Sequence, residues 1–144
     1  GMSAADRTAT QRVLAGMLLL GQLRLEENES TEEAAVQADS AADLRRTAAI
    51  LGAADAESPP VAGNMDGTLL EASLCSRWVQ VAGETVTVPL RVAQARDGRD
   101  ALIKALYGRL FTWLVSSANS SLASAQPANS FIGVLDIFGF ENFE

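Results

Sequence analysis

The longest regular pattern of apolar positions lies between residues 91 and 122. Leucine recurs there every fourth residue, at Leu102, Leu106, Leu110 and Leu114, and no proline interrupts the segment. Apolar residues at this spacing fall on one face of an α-helix. The pattern predicts one amphipathic helix of about 32 residues, roughly 48 Å long at about 1.5 Å per residue. So long a helix needs neighbours to pack against, which indicates that the chain is part of something larger.

A β-hairpin is predicted just before this helix. Residues 78–81 and 84–88 are rich in valine, threonine and tryptophan, and the pair Ala82–Gly83 separates them. Two β-rich segments around a glycine-containing pair favour a hairpin, here over about residues 78–88. Proline lacks the N–H that a central strand needs, so we expect Pro89 to end the second strand.

The first half of the chain is predicted to be mostly helical. Apolar residues recur at helical spacing, with Ser3 as a candidate N-cap and Gly21 as a candidate stop. A short strand, Leu23–Leu25, is predicted after Gly21. The predicted helices cover residues 3–20, 40–51 and about 65–75.

The last apolar run, Phe131–Ile137, predicts a strand that is buried on both faces. Nothing earlier in the chain offers a comparable buried strand, so its sheet neighbours are expected to come from elsewhere. The elements together predict an α+β fold that is mainly α. It would hold several helices, one of them long (about 91–122), a β-hairpin (about 78–88) and a terminal buried strand (131–137).

The charges of the chain alter the structural prediction in one segment, residues 26–43. The net charge is −7, and seven acidic residues lie between residues 26 and 43 with no Lys or Arg among them. Such a block is typical of a solvated loop. An acidic chain argues against nucleic-acid binding and against a polybasic membrane anchor. The apolar run Val13–Leu20 is far shorter than the roughly 20 residues of a membrane span, so none is expected.

The chain has one cysteine, Cys75, and no histidine. An internal disulfide and a Cys/His zinc site are therefore excluded. A lone cysteine fits a reducing compartment.

Asp136 and Gly139 are the residues that could carry chemistry. An aspartate at the carboxyl end of a buried strand can bind Mg²⁺ directly or through water, and a following glycine lets a backbone N–H approach a phosphate oxygen. An aspartate that merely caps the next turn is the alternative, and on these residues alone it is the commoner case.

The wider sequence resembles the motor (head) domain of the myosin family. The resemblance spans essentially the whole chain, and it is most specific at the switch II motif and the helix before it. Leu-Asp-Ile-Phe-Gly-Phe-Glu at 135–141 resembles switch II, residues 99–115 resemble the long helix that precedes that strand, Val86–Leu90 resembles the end of the actin-contacting cardiomyopathy loop, and residues 13–21 resemble a segment ending in Leu-Gly.

For the nucleotide site, the resemblance implies ATP and Mg²⁺ as cofactors of the complete motor. Asp136 would help to hold Mg²⁺ through water, and the Gly139 N–H would bond the γ-phosphate. Glu141 would pair with an arginine of switch I and close the site around the attacking water. Catalysis of this kind rests on positioning and charge stabilisation, and the helix beginning near Glu144 would relay the motion of the switch.

For the actin filament, the resemblance implies a contact by the hairpin at residues 75–90. Glu84 lies sixteen residues before Asp100, where the family has an acidic or phosphorylatable residue, so it would supply a permanent negative charge. A merely solvated Glu84 is the alternative. Trp78 on the same hairpin could contact actin or be buried against the hairpin base.

The resemblance implies a partial motor domain over residues 1–144. Residues 1–130 would form the helical upper actin-binding subdomain, and residues 131–144 the switch II strand and the start of the relay helix. The sequence has no Gly-x-x-x-x-Gly-Lys-Ser/Thr phosphate loop, so we expect actin-activated ATPase activity only with the rest of the motor domain. The chain is expected to begin and end inside the motor, and light chains would bind only the complete protein.

The expected function is therefore that of a fragment of an ATP-driven, actin-based motor in the cytoplasm and cytoskeleton. Three alternatives stay open beside it, of which the first two are a non-catalytic actin-binding or structural module and an inactive truncated product. An unrelated helical domain is the third.

Overall fold

The computed structural model describes residues 2–28, 30–52, 67–122 and 133–134. Within them the chain is mainly helical, as the sequence predicts, with two small antiparallel sheets, of which the hairpin was predicted. The elements in chain order are α1 (Ala4–Gln22), β1 (Leu25–Glu27), β2 (Ala34–Val36), a 3-10 turn (Ala38–Ser40), α2 (Ala41–Gly52), α3 (Thr68–Cys75), β3 (Ser76–Val81), β4 (Glu84–Pro89) and α4 (Val92–Leu122).

Helix α1 begins with the predicted N-cap. The Ser3 hydroxyl accepts the Asp6 backbone N–H, and the Asp6 carboxylate accepts the Ser3 N–H, which completes a capping box. The Ser3 hydroxyl also donates to the Asp6 carboxylate at 2.6 Å, and this bond, followed by the bond from the Ser3 N–H, lowers the pKa of Asp6. The helix continues one residue past the predicted stop at Gly21, because the Leu23 N–H bonds to the Leu20 carbonyl and ends it there.

The acidic block is more ordered than the predicted solvated loop. Strands β1 and β2 pair antiparallel, with Leu25 opposite Val36 and Glu27 opposite Ala34. Leu25 and Ala34 are buried, whereas the glutamates of β1 are exposed. Burial of one apolar residue on each strand thus orders a segment whose charge alone favours a loop.

The core lies where α1, α2, α3 and the first turns of α4 meet the β1–β2 pair. Its members are buried leucines and small residues: Leu20, Leu23, Leu25, Ala34, Leu44, Leu74, Cys75 and Ala95. Helices α1 and α2 pack closely because Gly16 leaves room for Ile50 and Leu51. No helix in the described ranges is long and apolar enough to cross a bilayer.

Helix α4 matches its predicted bounds closely, whereas the predicted terminal strand is not tested. Helix α4 extends over Val92–Leu122, but its second half keeps Phe111, Trp113 and Leu122 exposed. The predicted strand at 131–137 lies outside the described residues apart from Gly133 and Val134, which are exposed and have no regular structure.

Candidate functional site

The hairpin β3–β4 is the predicted site that the structure describes in full. Its six residue pairs run from Ser76 opposite Pro89 to Val81 opposite Glu84. Ala82 and Gly83 form the two-residue turn, with φ values of 51° and 87°. Positive φ at both positions is the type I′ arrangement, whose twist matches that of the flanking strands.

One face of the hairpin carries Trp78. Residues directly opposite each other in an antiparallel pair lie on the same face, so Trp78 shares its face with Thr87, Gln80 and Thr85. Trp78 is 78% exposed, and the Gln80 side-chain amide donates to the Thr85 hydroxyl at 3.2 Å. Burial of Trp78 against the hairpin base, the alternative left open by the sequence, is therefore not observed.

The opposite face carries valines, which sequence reasoning did not single out. Val81 and Val86 are 56% and 43% exposed, and Val79 and Val88 on the same face are half-buried. The strict alternation of strand residues would have revealed this face, because Val79, Val81, Val86 and Val88 occupy one parity on each strand. Both faces of the hairpin therefore present apolar surface.

Glu84 is the first residue of β4 and is exposed beside the turn. It is the only acidic residue of the hairpin, and Arg77 is the only basic one. Within the described ranges Glu84 has no ion pair, so its charge faces solvent.

Leu90 anchors the base of the hairpin. Its N–H donates to the Cys75 carbonyl at 2.8 Å, and its carbonyl accepts the Ala34 N–H at 2.8 Å. The Cys75 thiol beneath this junction is buried, and burial, with a smaller contribution from the Glu71 carboxylate, raises its pKa to about 11. A thiol that stays protonated is a packing group here.

The three residues predicted for the nucleotide site, Asp136, Gly139 and Glu141, lie outside the described residues. No cluster of Asp, Glu and Cys in the described part of the chain could hold a metal ion. By its chemistry Asp136 could supply one oxygen ligand to Mg²⁺, which binds proteins through one or two carboxylates and keeps several waters.

A second apolar surface lies between α1 and α4. It is a groove of about 690 Å³ lined by Leu14, Met17, Leu18, Ile103, Lys104, Tyr107 and Gly108. The Tyr107 and Phe111 rings stack beside it, with centroids 6.4 Å apart. The helical spacing of these apolar residues indicated burial, and the described residues leave many of them exposed.

Comparison with known proteins covers the whole chain. The family model described as myosin head (motor domain) matches residues 1–144. Unconventional myosin-Ia of Gallus gallus is 36% identical over 149 aligned residues, which cover 100% of this chain and 13% of that protein. Myosin-14 of Arabidopsis thaliana is 34% identical over 144 residues, covering 100% of this chain and 9% of that protein.

A shorter stretch is more similar still. The Myosin-I heavy chain of Dictyostelium discoideum is 49% identical over 81 residues, which cover 56% of this chain and 3% of that protein. The aligned segments thus span between 3% and 13% of the length of these curated relatives. The chain belongs to the myosin head (motor domain) family.

Proposed function

We propose that the chain is part of an ATP-driven, actin-based motor, in which it supplies an actin-contacting hairpin and switch II of the ATPase site. The observation that carries the proposal is the match of residues 1–144 to the head family. In that reading, residues 1–130 form the upper actin-binding subdomain, and residues 131–144 form the switch II strand and the start of the relay helix.

The geometry of β3–β4 supports the actin-contacting part. Two apolar faces and the exposed ring of Trp78 are what a protein partner can bury. The Glu84 charge beside the turn is free to act on a partner at close range. The type I′ turn holds both faces in one fixed twist.

The nucleotide part rests on the residues from Asp136 to Glu141. ATP with Mg²⁺ supplies the phosphoryl group and neutralises its developing charge. Asp136 would orient the metal site, the Gly139 N–H would hold a phosphate oxygen, and Glu141 would help to place the attacking water. The other parts of such a site, a phosphate loop and switch I, would come from the rest of the motor domain.

The exposed apolar side chains of α4 support a larger parent. Tyr107, Phe111 and Trp113 are exposed on α4, and Tyr107 lines the groove beside α1. Apolar patches of this kind mark contacts with other protein, and we assign this one to the rest of the motor. In the complete protein, light chains and an actin filament would be partners, and the cytoplasm and cytoskeleton its location.

Two measurements on the 144-residue chain test the proposal. The first is co-sedimentation with actin filaments, and the second is ATP turnover with and without actin. We expect binding that an excess of an unrelated acidic protein does not abolish, and no turnover above background. Turnover that is lost in Asp136→Ala would contradict the expected inactivity of the chain by itself.

The same two measurements, repeated on a complete motor that contains this segment, separate the alternatives. Specific binding by the chain, together with a complete motor whose hydrolysis does not depend on Asp136 or Gly139, would favour a non-catalytic actin-binding module. Absence of binding by both the chain and the complete motor would contradict the assignment of the hairpin.

A further inference from the structure

The β1–β2 pair lies at the base of β3–β4 and is attached to it and to α4 separately. On one side, the Ala34 N–H at the start of β2 bonds to the Leu90 carbonyl at 2.8 Å. Leu90 is the residue that follows β4, so this bond reaches the base of the hairpin. A hairpin of two strands is marginal by itself and depends on such anchors for its orientation.

On the other side, two arginines of α4 bond to the backbone at the start of β1: one to Leu25, its first residue, and one to Leu23, the C-cap of α1 two residues earlier. Arg96 Nη2 donates to the Leu25 carbonyl at 3.1 Å, and Arg99 Nη1 donates to the Leu23 carbonyl at 2.8 Å. Arg99 also contacts the Asp100 carboxylate through Nε at 2.9 Å, and its side chain is only 17% exposed. The planar guanidinium fork of Arg99 is thereby fixed at two sides.

Three connections thus link the hairpin base, α4 and the β1–β2 pair. The chain runs from Leu90 directly into α4, and the two arginines of α4 bond to the Leu23 and Leu25 carbonyls at the start of β1. Strand β1 pairs with β2, whose Ala34 bonds back to Leu90. Apolar packing also holds α4 here, because Ala95 is buried in the core and Val92 packs against it, and the arginine bonds add directional contacts to that packing. The exposed Arg91–Glu32 pair, at 3.9 Å, adds little orientation.

We propose that Arg96 and Arg99 are positioning residues: they lock β1–β2 onto α4, so that this pair braces the hairpin β3–β4 at a fixed angle towards its partner. The choice of partner rests on the proposed function, in which β3–β4 contacts actin. The acidic segment between residues 26 and 33 then serves as a structural brace.

Distance measurement between two spin labels tests the brace without any partner. The labels are placed at Thr85→Cys on the hairpin and Ala105→Cys on α4, both exposed, in a Cys75→Ala background. We expect a single narrow distance distribution, which is lost in the Arg96→Gln/Arg99→Gln double variant. Arg109→Gln, an exposed arginine further along the same helix, is the matched control and keeps the narrow distribution.

Two further variants separate positioning from simple loss of stability. Lysine can still donate one bond to the Leu23 carbonyl, so Arg99→Lys should restore most of the narrow distribution. Helical circular dichroism checks that each variant is folded. If the double variant unfolds, the distance distributions of the single variants Arg96→Gln and Arg99→Gln test the brace instead, because each variant removes only one of the two arginine bonds. A folded variant with an unchanged distribution overturns the brace.

Actin co-sedimentation of the same variants tests what the brace is for. We expect the double variant to lose affinity and Arg109→Gln to keep it. Absence of binding by the unmodified chain would count against the proposed function, while the label distances would still decide the brace. Equal affinity of the double variant and the unmodified chain, despite a broadened distribution, would overturn the link between the brace and the partner.

Discussion

Gly16 on α1 lies against Leu51 on α2 so closely that a Cβ added to Gly16 would stand 2.7 Å from Leu51 Cγ and closer still to Cδ2. Ile50 Cγ2 would lie at 3.3 Å on the same side. The two helices therefore approach each other over a glycine, and any side chain there requires Leu51 to shift.

We expect Gly16→Val to destabilise the chain by about 1–3 kcal/mol, the usual cost of overpacking a well-packed contact. Urea unfolding followed by circular dichroism measures it. Gly98→Val is the matched control, because a Cβ at Gly98 on α4 meets nothing within 4 Å. Equal stability of the two variants would show that α1 and α2 can separate without cost.

The backbone of Ala82 in the hairpin turn is strained, and a glycine at this position would relieve the strain. Its φ of 51° is a conformation that costs residues other than glycine and asparagine roughly 1–2 kcal/mol. We expect Ala82→Gly to stabilise β3–β4 by about 1 kcal/mol, less the added flexibility of the unfolded glycine. Amide hydrogen exchange at Val81 and Glu84, the pair next to the turn, measures the change.

Gly83→Ala is the opposite test of the same turn. At a φ of 87° an alanine is strained, although nothing lies within 4 Å of the added Cβ. Faster exchange in Gly83→Ala and slower exchange in Ala82→Gly would together support the type I′ turn. Slower exchange in both would contradict it.

The elements with strong local patterns were predictable from the sequence. The leucine repeat gave the bounds of α4 to within a residue at each end, and the Ala82–Gly83 pair located the hairpin. The Ser3 cap of α1 was equally local. In each case the residues that decide the structure are neighbours in the chain.

The arginine bonds from α4 to the Leu23 and Leu25 carbonyls could not be predicted in this way. Arg96 and Arg99 reach carbonyls 71 and 76 positions earlier in the chain, and a backbone carbonyl leaves no mark in the sequence. The exposure of Trp78 was undecidable for a related reason: the strand pattern places it on a face but does not say whether that face is covered. The roles of Asp136, Gly139 and Glu141 stay predictions.

Cys75 should react slowly with thiol reagents in the folded chain, because its pKa is raised to about 11 from an ordinary 9.0. Between about pH 9 and pH 11 the Cys75 thiol is protonated in the folded state and ionised in the unfolded state. The stability that this contributes is complete below about pH 9 and is lost as the pH rises towards 11. Thiolate absorbance against pH, in the folded and the urea-unfolded chain, measures both values.

Glu71→Gln is the matched variant for this titration. The Glu71 carboxylate adds to the raised pKa of Cys75 and also accepts the Val36 N–H at 3.1 Å. Glutamine keeps the acceptor and removes the charge, so the thiol pKa should fall while the fold is unchanged. A thiol that titrates as in the unfolded chain would contradict the burial of Cys75.

In a complete motor that contains this segment, Gly139→Ala should block ATP hydrolysis. The proposed role of Gly139 needs its backbone N–H close to a phosphate oxygen, and a Cβ would crowd that approach. Single-turnover hydrolysis measures the step, and nucleotide affinity measured in parallel shows whether binding survives. Hydrolysis at the unmodified rate would show that the role is wrongly assigned.

Trp78→Ala tests which face of the hairpin meets actin. The ring is 78% exposed, so its removal should leave the unfolding temperature almost unchanged. If it is an anchor of the interface, its loss should cost about 1–2 kcal/mol of binding, roughly five- to thirtyfold in affinity. Co-sedimentation with actin filaments measures the affinity, and Trp113→Phe on α4 is the control for the other tryptophan.

Val81→Ser on the opposite face completes the comparison. Val81 lies beside the same turn and is also exposed, but it shares its face with Glu84 instead of Trp78. A loss confined to Trp78→Ala assigns the contact to the tryptophan face, and a loss confined to Val81→Ser assigns it to the valine face with Glu84. Because the strand pairing places the two faces on opposite sides of the hairpin, a flat partner surface can bury only one of them fully, and one of the two variants should lose affinity. Unchanged affinity in both variants would contradict the proposal that the hairpin contacts actin.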